Sequence, residues 1–381
     1  MVETITAERL ADMIDANERF TLIDTRDAES FEAWHVQNAR NVPYDPEEGI
    51  DAAQLEEIAA VTDGEPIVTI CGKGRTSVPF SFELEEHGYD VSIVDGGMEA
   101  WSKVYEVVPI EVDNEDLVVR QVQRRAKGCL GYVIGSRVTN EAVVVDPTRQ
   151  TDEFKLAAQG AGLTIEWVLD THVHADHISG GAALADDLDV PYTLGESARE
   201  RDVTHDYVPL SDGQLVDRHG MDIEAFSAPG HTSEMMVYLV DGELLLTGDT
   251  LFVDSVGRTE LQFGEGEAAH GADMLFDTLH ETILELPADT TVLPGHRSVT
   301  NDGRYEQGSP GEAVTARLGD LHDALELLHL DRETFVKRLT EDIPEKPPNY
   351  ESVIAINTGA ESAGSESEAT ELELGPNNCA A

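Results

Sequence analysis

The stretch Thr171 to His177 reads THVHADH and follows the apolar run Trp167-Val168-Leu169. Three further short motifs with candidate metal ligands lie downstream: Pro229-Gly230-His231, Thr247-Gly248-Asp249 and Pro294-Gly295-His296. In three of the four pieces, a candidate metal ligand stands just beyond an apolar run that predicts a strand. Imidazoles and carboxylates brought from several strand ends to one point are the ligands that a divalent transition metal takes. The sequence therefore predicts a metalloenzyme.

The four pieces, in this order, resemble the metallo-β-lactamase superfamily over about Leu117 to Asn357. Chance clustering of histidines is the alternative, and the order of the three later pieces disfavours it. The resemblance implies an αββα sandwich with ligands at strand ends. It also implies two metal positions: a first faced by His172, His174 and His231, and a second faced by Asp176, His177 and His296, with Asp249 between them.

The segment after the bridging aspartate, GDTLFVDSVGRTEL, resembles the glyoxalase II and persulfide dioxygenase branch of that superfamily. The chain lacks the long helical extension of glyoxalase II. Its later segment ETFVKRLTEDIPEKPPNYESVIAIN is similar to the closing segment of persulfide dioxygenases. That resemblance implies one Fe(II) per chain, held by His172, His231 and Asp249, and oxidation of a low-molecular-weight thiol persulfide by dioxygen to sulfite. Two imidazoles and one carboxylate leave coordination positions open for both reactants.

Two other interpretations stay open at this point. All seven ligands of a two-metal site are present, so a glyoxalase II-type hydrolase of thioesters with one or two zinc ions fits the ligand set as well. A non-catalytic protein that senses persulfides is the second alternative. Arg258 either holds a substrate carboxylate or pairs with an internal acidic residue. The identity of the thiol carrier is left open too.

The first half of the chain alternates apolar strands with helical patterns, which predicts a parallel βαβ domain. Its predicted strands are 20–24, 67–71 and 91–95. The whole chain is therefore predicted to be an α/β protein with a first domain over 1–108 and a linker over 109–116. A second domain is expected over 117–358. The Glu/Ser/Ala-rich tail 359–381 is predicted to be disordered and acidic.

Cys71 ends the second of these strands and opens the loop CGKGRTS, which is followed by a predicted helix. Backbone N–H groups at such a turn stabilise a thiolate or a bound anion. With IDTRDAESFEAWHVQNARNVP (23–43) and DGGMEAW (95–101), the loop resembles a single-domain rhodanese over residues 1 to about 108. The resemblance implies that Cys71 carries a persulfide taken from thiosulfate or another sulfane-sulfur donor. It also implies an ion-pair network of Asp24 and Arg26, and an anion cradle made by Gly72, Lys73, Gly74, Arg75, Thr76 and Ser77.

One departure from the rhodanese pattern concerns the donor. The common family loop has arginine just before its last serine, whereas Thr76 stands there in this chain and Arg75 precedes it. This departure puts the preference for thiosulfate in doubt, although the nucleophile is intact.

Composition excludes some partners. The formal net charge is −51, from 25 basic and 76 acidic residues. Such a field repels nucleic acid and anionic membranes. Acid-rich, lysine-poor composition is typical of proteins from halophiles, where multimolar salt screens charge over a few Å. Three scattered cysteines favour a reducing cytoplasm. Cys129 is expected in the core and Cys379 as a spectator thiol, and a homodimer stays open as the assembly.

Overall fold

The structure is a computed structural model that describes residues 2–264, 266–341, 343, 346–377 and 379–380. Within these ranges, no helix is both long and apolar enough to cross a bilayer. Three sheets organise the chain, one in the first half and two in the second.

The first sheet has five parallel strands in the order β1-β5-β4-β2-β3. All residues of β2 and β4 are buried, as expected for strands covered on both faces. The predicted parallel α/β arrangement is therefore confirmed. Its strands are β1 (Glu3–Ile5), β2 (Thr21–Asp24), β3 (Arg40–Asn41), β4 (Ile67–Ile70) and β5 (Val91–Val94). Its helices are α1 (Ala7–Asp15), α2 (Ala28–Ala33), α3 (Ala52–Thr62), α4 (Ser77–Glu86) and α5 (Gly97–Trp101).

The second half holds a seven-stranded sheet in the order β12-β11-β10-β9-β8-β7-β6 and a six-stranded sheet in the order β13 to β18. The seven-stranded sheet comprises β6 (Tyr105–Ile110), β7 (Leu117–Arg124), β8 (Leu130–Ser136), β9 (Glu141–Val145), β10 (Thr164–Leu169), β11 (Tyr192–Gly195) and β12 (Val208–Leu210). The six-stranded sheet comprises β13 (Gln214–Arg218), β14 (Met221–Ser227), β15 (Met236–Val240), β16 (Leu244–Gly248), β17 (Thr291–Pro294) and β18 (Ala316–Arg317).

The second half of the chain also contains helices, some of which cover the outer faces of these two sheets. The helices are α6 (Thr151–Gly160), α7 (Gly181–Leu188), α8 (Glu260–Phe263), α9 (Ala268–Asp277), α10 (Leu318–Ala324), α11 (Arg332–Glu341), α12 (Tyr350–Asn357) and α13 (Glu366–Leu372). Shorter helical segments are a π-helical turn (Thr278–Ile283) and 3₁₀ segments (Glu196–Arg201 and Glu326–His329).

The layers follow from three buried clusters. Val119 and Tyr132 of one sheet meet Ile223 and Tyr238 of the other in a shared core. One outer cluster packs α6 and α7 onto the seven-stranded sheet. Another packs α9, α10 and α11 onto the six-stranded sheet. The predicted αββα sandwich is confirmed, because each sheet buries one face against the other sheet and one against helices.

The predicted linker over 109–116 is wrong at its beginning. Strand β6 pairs antiparallel with β7 over six residues, from Tyr105 opposite Arg124 to Ile110 opposite Val119. Val108 and Ile110 are buried, which explains why this segment joins the second sheet instead of solvent. Residues 105–110 are thus part of the sandwich.

The predicted disorder of 359–381 is also wrong for the described part of that segment. Ser365 caps α13 by accepting a hydrogen bond from the N–H of Glu368. Glu373 is fully buried and forms ion pairs with Arg124 and Arg149. The acidic tail is ordered because the body of the protein supplies buried cations for it, which composition alone does not reveal.

Candidate metal centre and cysteine loop

Strand ends bring the candidate ligands together. The loop that carries His172 follows β10, and His231 lies in the connection between β14 and β15. Asp249 and His296 follow β16 and β17, which are neighbouring parallel strands. Position 248 requires glycine, because its backbone passes close to Thr171 and a Cβ there would lie 2.4 Å from Thr171 Oγ1.

His172, His231 and Asp249 form a buried group, called here the triad. Nε2 of His172 lies 3.8 Å from Oδ2 of Asp249, and Nε2 of His231 lies 3.6 Å from the same oxygen. These three atoms are buried and have no hydrogen-bond partner. Unsatisfied buried polar atoms are costly, so three of them pointing at one place need a partner.

Both triad imidazoles are held by their other nitrogen. Nδ1 of His231 donates to the carbonyl of Arg258 at 2.7 Å. Nδ1 of His172 lies 2.9 Å from Thr171 Oγ1, and that hydroxyl donates to Asp146 at 2.9 Å. This arrangement protonates Nδ1 and leaves the Nε2 lone pairs free. Burial, together with the nearby His174 ring, holds the pKa of His172 well below its usual range.

The triad fits a first-row metal ion. Such an ion takes nitrogen and oxygen ligands at about 2.0–2.2 Å, which puts the ligand atoms of one ion roughly 3–3.6 Å apart. The observed separations of 3.6 and 3.8 Å lie at the upper end of that range and slightly above it, so a small inward movement of His172 would complete the site. Neutral imidazoles with free Nε2 atoms and one carboxylate oxygen are the donor set of a 2-His-1-carboxylate site.

The residues predicted for a second metal position are close together but bonded to one another. His296 Nδ1 lies 2.6 Å from Asp249 Oδ1, and its Nε2 lies 2.9 Å from Asp176 Oδ2. The other oxygen of Asp176 lies 3.0 Å from His177 Nδ1. Burial alone would lower the pKa of His296, but Asp176 and Asp249 raise it well above its usual range. The group is therefore a buried hydrogen-bonded network in this structure.

The ring of His174 lies next to that of His172, with ring centroids 4.2 Å apart, but its Nε2 points to neighbouring carboxylates. Its Nε2 lies 3.3 Å from Asp146 Oδ1, and it groups with Asp146 and Asp170. Burial, opposed by His174, raises the pKa of Asp170 to about 6, and Asp146 adds to the rise. Two neighbouring buried carboxylates account for the position of this imidazole.

Arg258 was considered as a ligand for a substrate carboxylate, and the structure favours the internal partner. The side chain is 1% exposed, and its Nε donates to Glu260 Oε1 at 2.5 Å. Its backbone contributes to the centre instead, because its carbonyl accepts the hydrogen bond from His231. The guanidinium is thus a buried structural group.

Cys71 lies at the end of β4 in a loop of donors. The N–H of Arg75 donates to its Sγ at 3.1 Å, and the Ser77 hydroxyl lies 3.3 Å from the same sulfur. Burial opposes the thiolate, but hydrogen bonds from the side chains of Ser77 and Thr76 and from backbone N–H groups outweigh it. The pKa of Cys71 is therefore below its usual range.

The charged residues around this loop have specific partners. Arg26 binds Asp24 with Nη2 2.6 Å from Oδ2, so the expected supporting ion pair is present. Lys73 points to carboxylates: its Nζ lies 2.9 Å from Glu99 and also contacts Glu371 of the C-terminal segment. Its charge is therefore shared with acidic neighbours. Gly74 has φ +69° and passes close to Gly96.

Sequence reasoning missed two sulfur atoms of the metal centre. Cys129 groups with Asp176, His177 and His296, and Cys379 groups with Asp176, Asp249 and His296. Cys129 was expected as core and is buried, but its Sγ is also 3.5 Å from Asp176 Oδ2. Cys379 lies outside every motif, and no signal in the sequence identifies it.

Comparisons with known proteins agree with this geometry. Residues 6–104 match the rhodanese-like domain, and residues 124–296 match the metallo-beta-lactamase superfamily. The human persulfide dioxygenase ETHE1 (Homo sapiens) is 30% identical over 183 residues, which cover 47% of this chain and 68% of the human protein.

Two solved structures share the fold. The crystal structure of ETHE1 from Myxococcus xanthus aligns with a TM-score of 0.54 at 25% identity, over 64% of this chain and 99% of that one. A metallo-beta-lactamase from Staphylococcus aureus aligns with a TM-score of 0.57 at 24% identity, over 64% and 73% of the two chains. The chain belongs to the metallo-β-lactamase superfamily, in the family of the ETHE1 persulfide dioxygenases, and carries a rhodanese-like domain in front of the metal-binding domain.

Proposed function

We propose that the protein is a persulfide dioxygenase with one Fe(II) per chain, joined to a sulfurtransferase that works through a persulfide on Cys71. The observation that carries the first part is the triad with its three unpartnered, buried ligand atoms. His172, His231 and Asp249 would hold the metal. An iron ion bound there supplies the redox chemistry that lets dioxygen oxidise the outer sulfur of a persulfide to sulfite.

The protein's own groups prepare this site. Thr171 and the Arg258 carbonyl orient the two imidazoles, and His296 fixes the Asp249 carboxylate. Burial of all three ligands excludes bulk water, which strengthens the electrostatic interactions inside the centre. In the first domain, the N–H of Arg75 and the Ser77 hydroxyl stabilise the Cys71 thiolate that would accept a sulfane sulfur.

The hydrogen-bonded network supports this activity over the thioester hydrolase. Both nitrogens of His296 and both oxygens of Asp176 are engaged with neighbouring side chains. A second zinc ion would have to break these contacts to gain its ligands. The mononuclear triad needs no such rearrangement, because its ligand atoms are already free.

Metal analysis of anaerobically purified protein, with oxygen uptake on a low-molecular-weight persulfide, tests the proposal. We expect one iron per chain, oxygen consumption and sulfite. His231→Ala should abolish oxygen uptake, whereas Cys71→Ser should leave it intact and abolish sulfur transfer from a sulfane-sulfur donor. Bound zinc with thioester cleavage and no oxygen uptake would overturn the dioxygenase.

A further inference from the structure

Cys379 lies at the metal centre, although it comes from the C-terminal segment 366–380. Its ligand atom and those of Asp176, Asp249 and His296 are all within 4.8 Å of one another. The residue is 0% exposed. Asp249, whose Oδ2 is one of the three unpartnered triad atoms, belongs to the same group of side chains. A thiol therefore lies beside one residue of the triad.

Backbone contacts fix this position from both sides. The N–H of Arg258 donates to the carbonyl of Cys379 at 3.1 Å, and Gly257 forms a β-bridge with Ala380. Two residues earlier, the side-chain amide of Asn377 donates to the carbonyls of Lys127 and Arg297 at 2.7 and 3.0 Å. The thiol is thus placed by the fold.

The same segment contacts the cysteine loop of the first domain. Glu371 forms an ion pair with Lys73, which follows Cys71 by two residues. The Ser367 hydroxyl lies 3.4 Å from the same Lys73 ammonium group. Cys379 comes six positions after Glu373, and an extended chain of six residues covers roughly 20 Å. One short segment therefore links the two centres.

Space for movement lies beside this segment. Residues 374–376 line a cavity of about 270 Å³ together with Arg26 and Trp34 of the first domain. Gly375 has φ +95°, and a Cβ there would meet only Pro348 at 3.9 Å. Gly375 and Pro376 are buried, and the Gly375 carbonyl accepts a hydrogen bond from Lys127 Nζ at 3.3 Å, so movement of this stretch would break that contact.

All three cysteines of the chain lie in the two centres: Cys71 in the loop, Cys129 and Cys379 at the metal ligands. All three are free thiols. The three triad residues are buried, and Cys379 shares a group of ligand atoms with Asp249. A sulfur atom carried on Cys379 would therefore lie beside Asp249.

We propose that Cys379 is an internal sulfur carrier, which accepts a sulfane sulfur from Cys71 and presents it at the metal centre as a protein persulfide. The Cys379 thiolate attacks the outer sulfur of the Cys71 persulfide. A new S–S bond forms on Cys379, the old S–S bond breaks, and its electron pair leaves Cys71 as a thiolate, with no net oxidation. Cys379 moves between the two positions while Glu373 stays bound to Arg124 and Arg149.

The second step rests on the proposed dioxygenase function. The Cys379 persulfide, dioxygen and water give the free Cys379 thiol, sulfite and two protons. The outer sulfur loses four electrons, and one dioxygen molecule takes them. The thiol is regenerated, so that no further reductant is needed and the carrier is ready for the next sulfur atom.

The test uses the metal-free full-length chain without oxygen, so that sulfur transfer is measured apart from oxidation. After incubation with thiosulfate and alkylation, peptide mass spectrometry locates cysteines that have gained one sulfur atom. We expect the gain on Cys71 and Cys379 in the wild type, on neither in Cys71→Ser, and on Cys71 alone in Cys379→Ser.

Several results would overturn the carrier. The first is a wild-type protein that gains sulfur on Cys71 and none on Cys379. The second is a Cys71→Ser variant in which thiosulfate labels Cys379 as strongly as in the wild type. Label on Cys71 in the Cys379→Ser sample shows that the first domain is folded. A segment that only plugs the centre predicts unlabelled Cys379 and faster oxidation of an added persulfide by Cys379→Ser.

The iron-loaded protein separates this inference from the proposed function. Sulfite formation from thiosulfate should fall to background in Cys379→Ser. If Cys379 gains sulfur but no oxygen is consumed, the dioxygenase fails and the transfer stands. If an added small persulfide is oxidised and Cys379 never gains sulfur, the dioxygenase stands and the carrier fails.

Discussion

Nδ1 of His296 lies 2.6 Å from Oδ1 of Asp249, so that only the other carboxylate oxygen faces the two triad imidazoles. The histidine also holds Asp176 through its second nitrogen. Asp176 and Asp249 oppose the effect of burial on the imidazole and raise the pKa of His296 well above its usual range. His296 therefore acts as a positioning residue that leaves one ligand oxygen available.

Substitutions of His231 and His296 should affect metal binding to different degrees. His231→Ala removes a triad ligand, and we expect no stably bound metal after desalting. His296→Gln removes only a group that orients the carboxylate, so metal affinity should fall roughly 10–100-fold while the stoichiometry stays at one. Titration of the metal-free proteins with Fe(II), followed by metal analysis, measures both. Two metal ions per wild-type chain would contradict the role assigned to His296.

Glu373 should anchor the C-terminal segment. Its buried carboxylate binds Arg124 and Arg149, and removing one partner of such a group costs about 3–5 kcal/mol. Glu373→Gln should therefore release the segment to proteolysis at neutral pH. Glu371→Gln is the control, because an exposed pair contributes only about 0–1 kcal/mol. Equal proteolysis of the two variants would contradict the anchor.

The same ion pairs predict an acid-sensitive segment. Burial alone would raise the pKa of Glu373, but Arg124 and Arg149 lower it below the ordinary value of 4.5. Because the folded-state pKa is the lower one, the stabilisation is present above 4.5 and is lost as pH falls through the folded-state value. Hydrogen exchange of residues 366–377 should accelerate in that acidic range and not at neutral pH.

Local patterns were enough to predict the sandwich and most of its metal centre. His172, His231, Asp249 and His296 each follow a strand or a turn whose residues carry a recognisable motif, and strand ends converge by topology. The contact of His174 with Asp146 and Asp170 could not be predicted, because these residues meet only after folding. The short strand β6 was missed in a polar, acidic stretch, since its pairing with β7 is a tertiary contact.

The tail shows a different limit of sequence reasoning. Its composition has the low apolar content and high charge of disordered segments. Arg124 and Arg149 lie more than 200 residues earlier and bind it by ion pairs. No periodicity links Cys379 to Asp176 or His296. Contacts between residues so far apart in the sequence arise only in the assembled fold, so they leave no local sequence pattern.

Salt should stabilise this chain. With a formal net charge of −51, self-repulsion disfavours the compact state at low ionic strength. Screening shortens the Debye length to about 3 Å at 1 M salt, so we expect the thermal unfolding midpoint to rise steadily with KCl. Sucrose at matched osmolarity controls for general solute effects. A midpoint unchanged between low and multimolar KCl would contradict adaptation to salt.

The reactivity of Cys71 should depend on Ser77. The hydroxyl of Ser77 lies 3.3 Å from the sulfur, and side-chain and backbone hydrogen bonds outweigh the effect of burial, so the pKa of Cys71 lies below its usual range. Hydrogen bonds to a thiolate favour the charged form, so their removal raises the pKa. In Ser77→Ala, the pH midpoint of alkylation of Cys71 should therefore move upward. Ser81→Ala, on the same helix but bonded to Thr69, is the control and should leave that midpoint in place. An unchanged midpoint in Ser77→Ala would show that backbone N–H groups alone stabilise the thiolate.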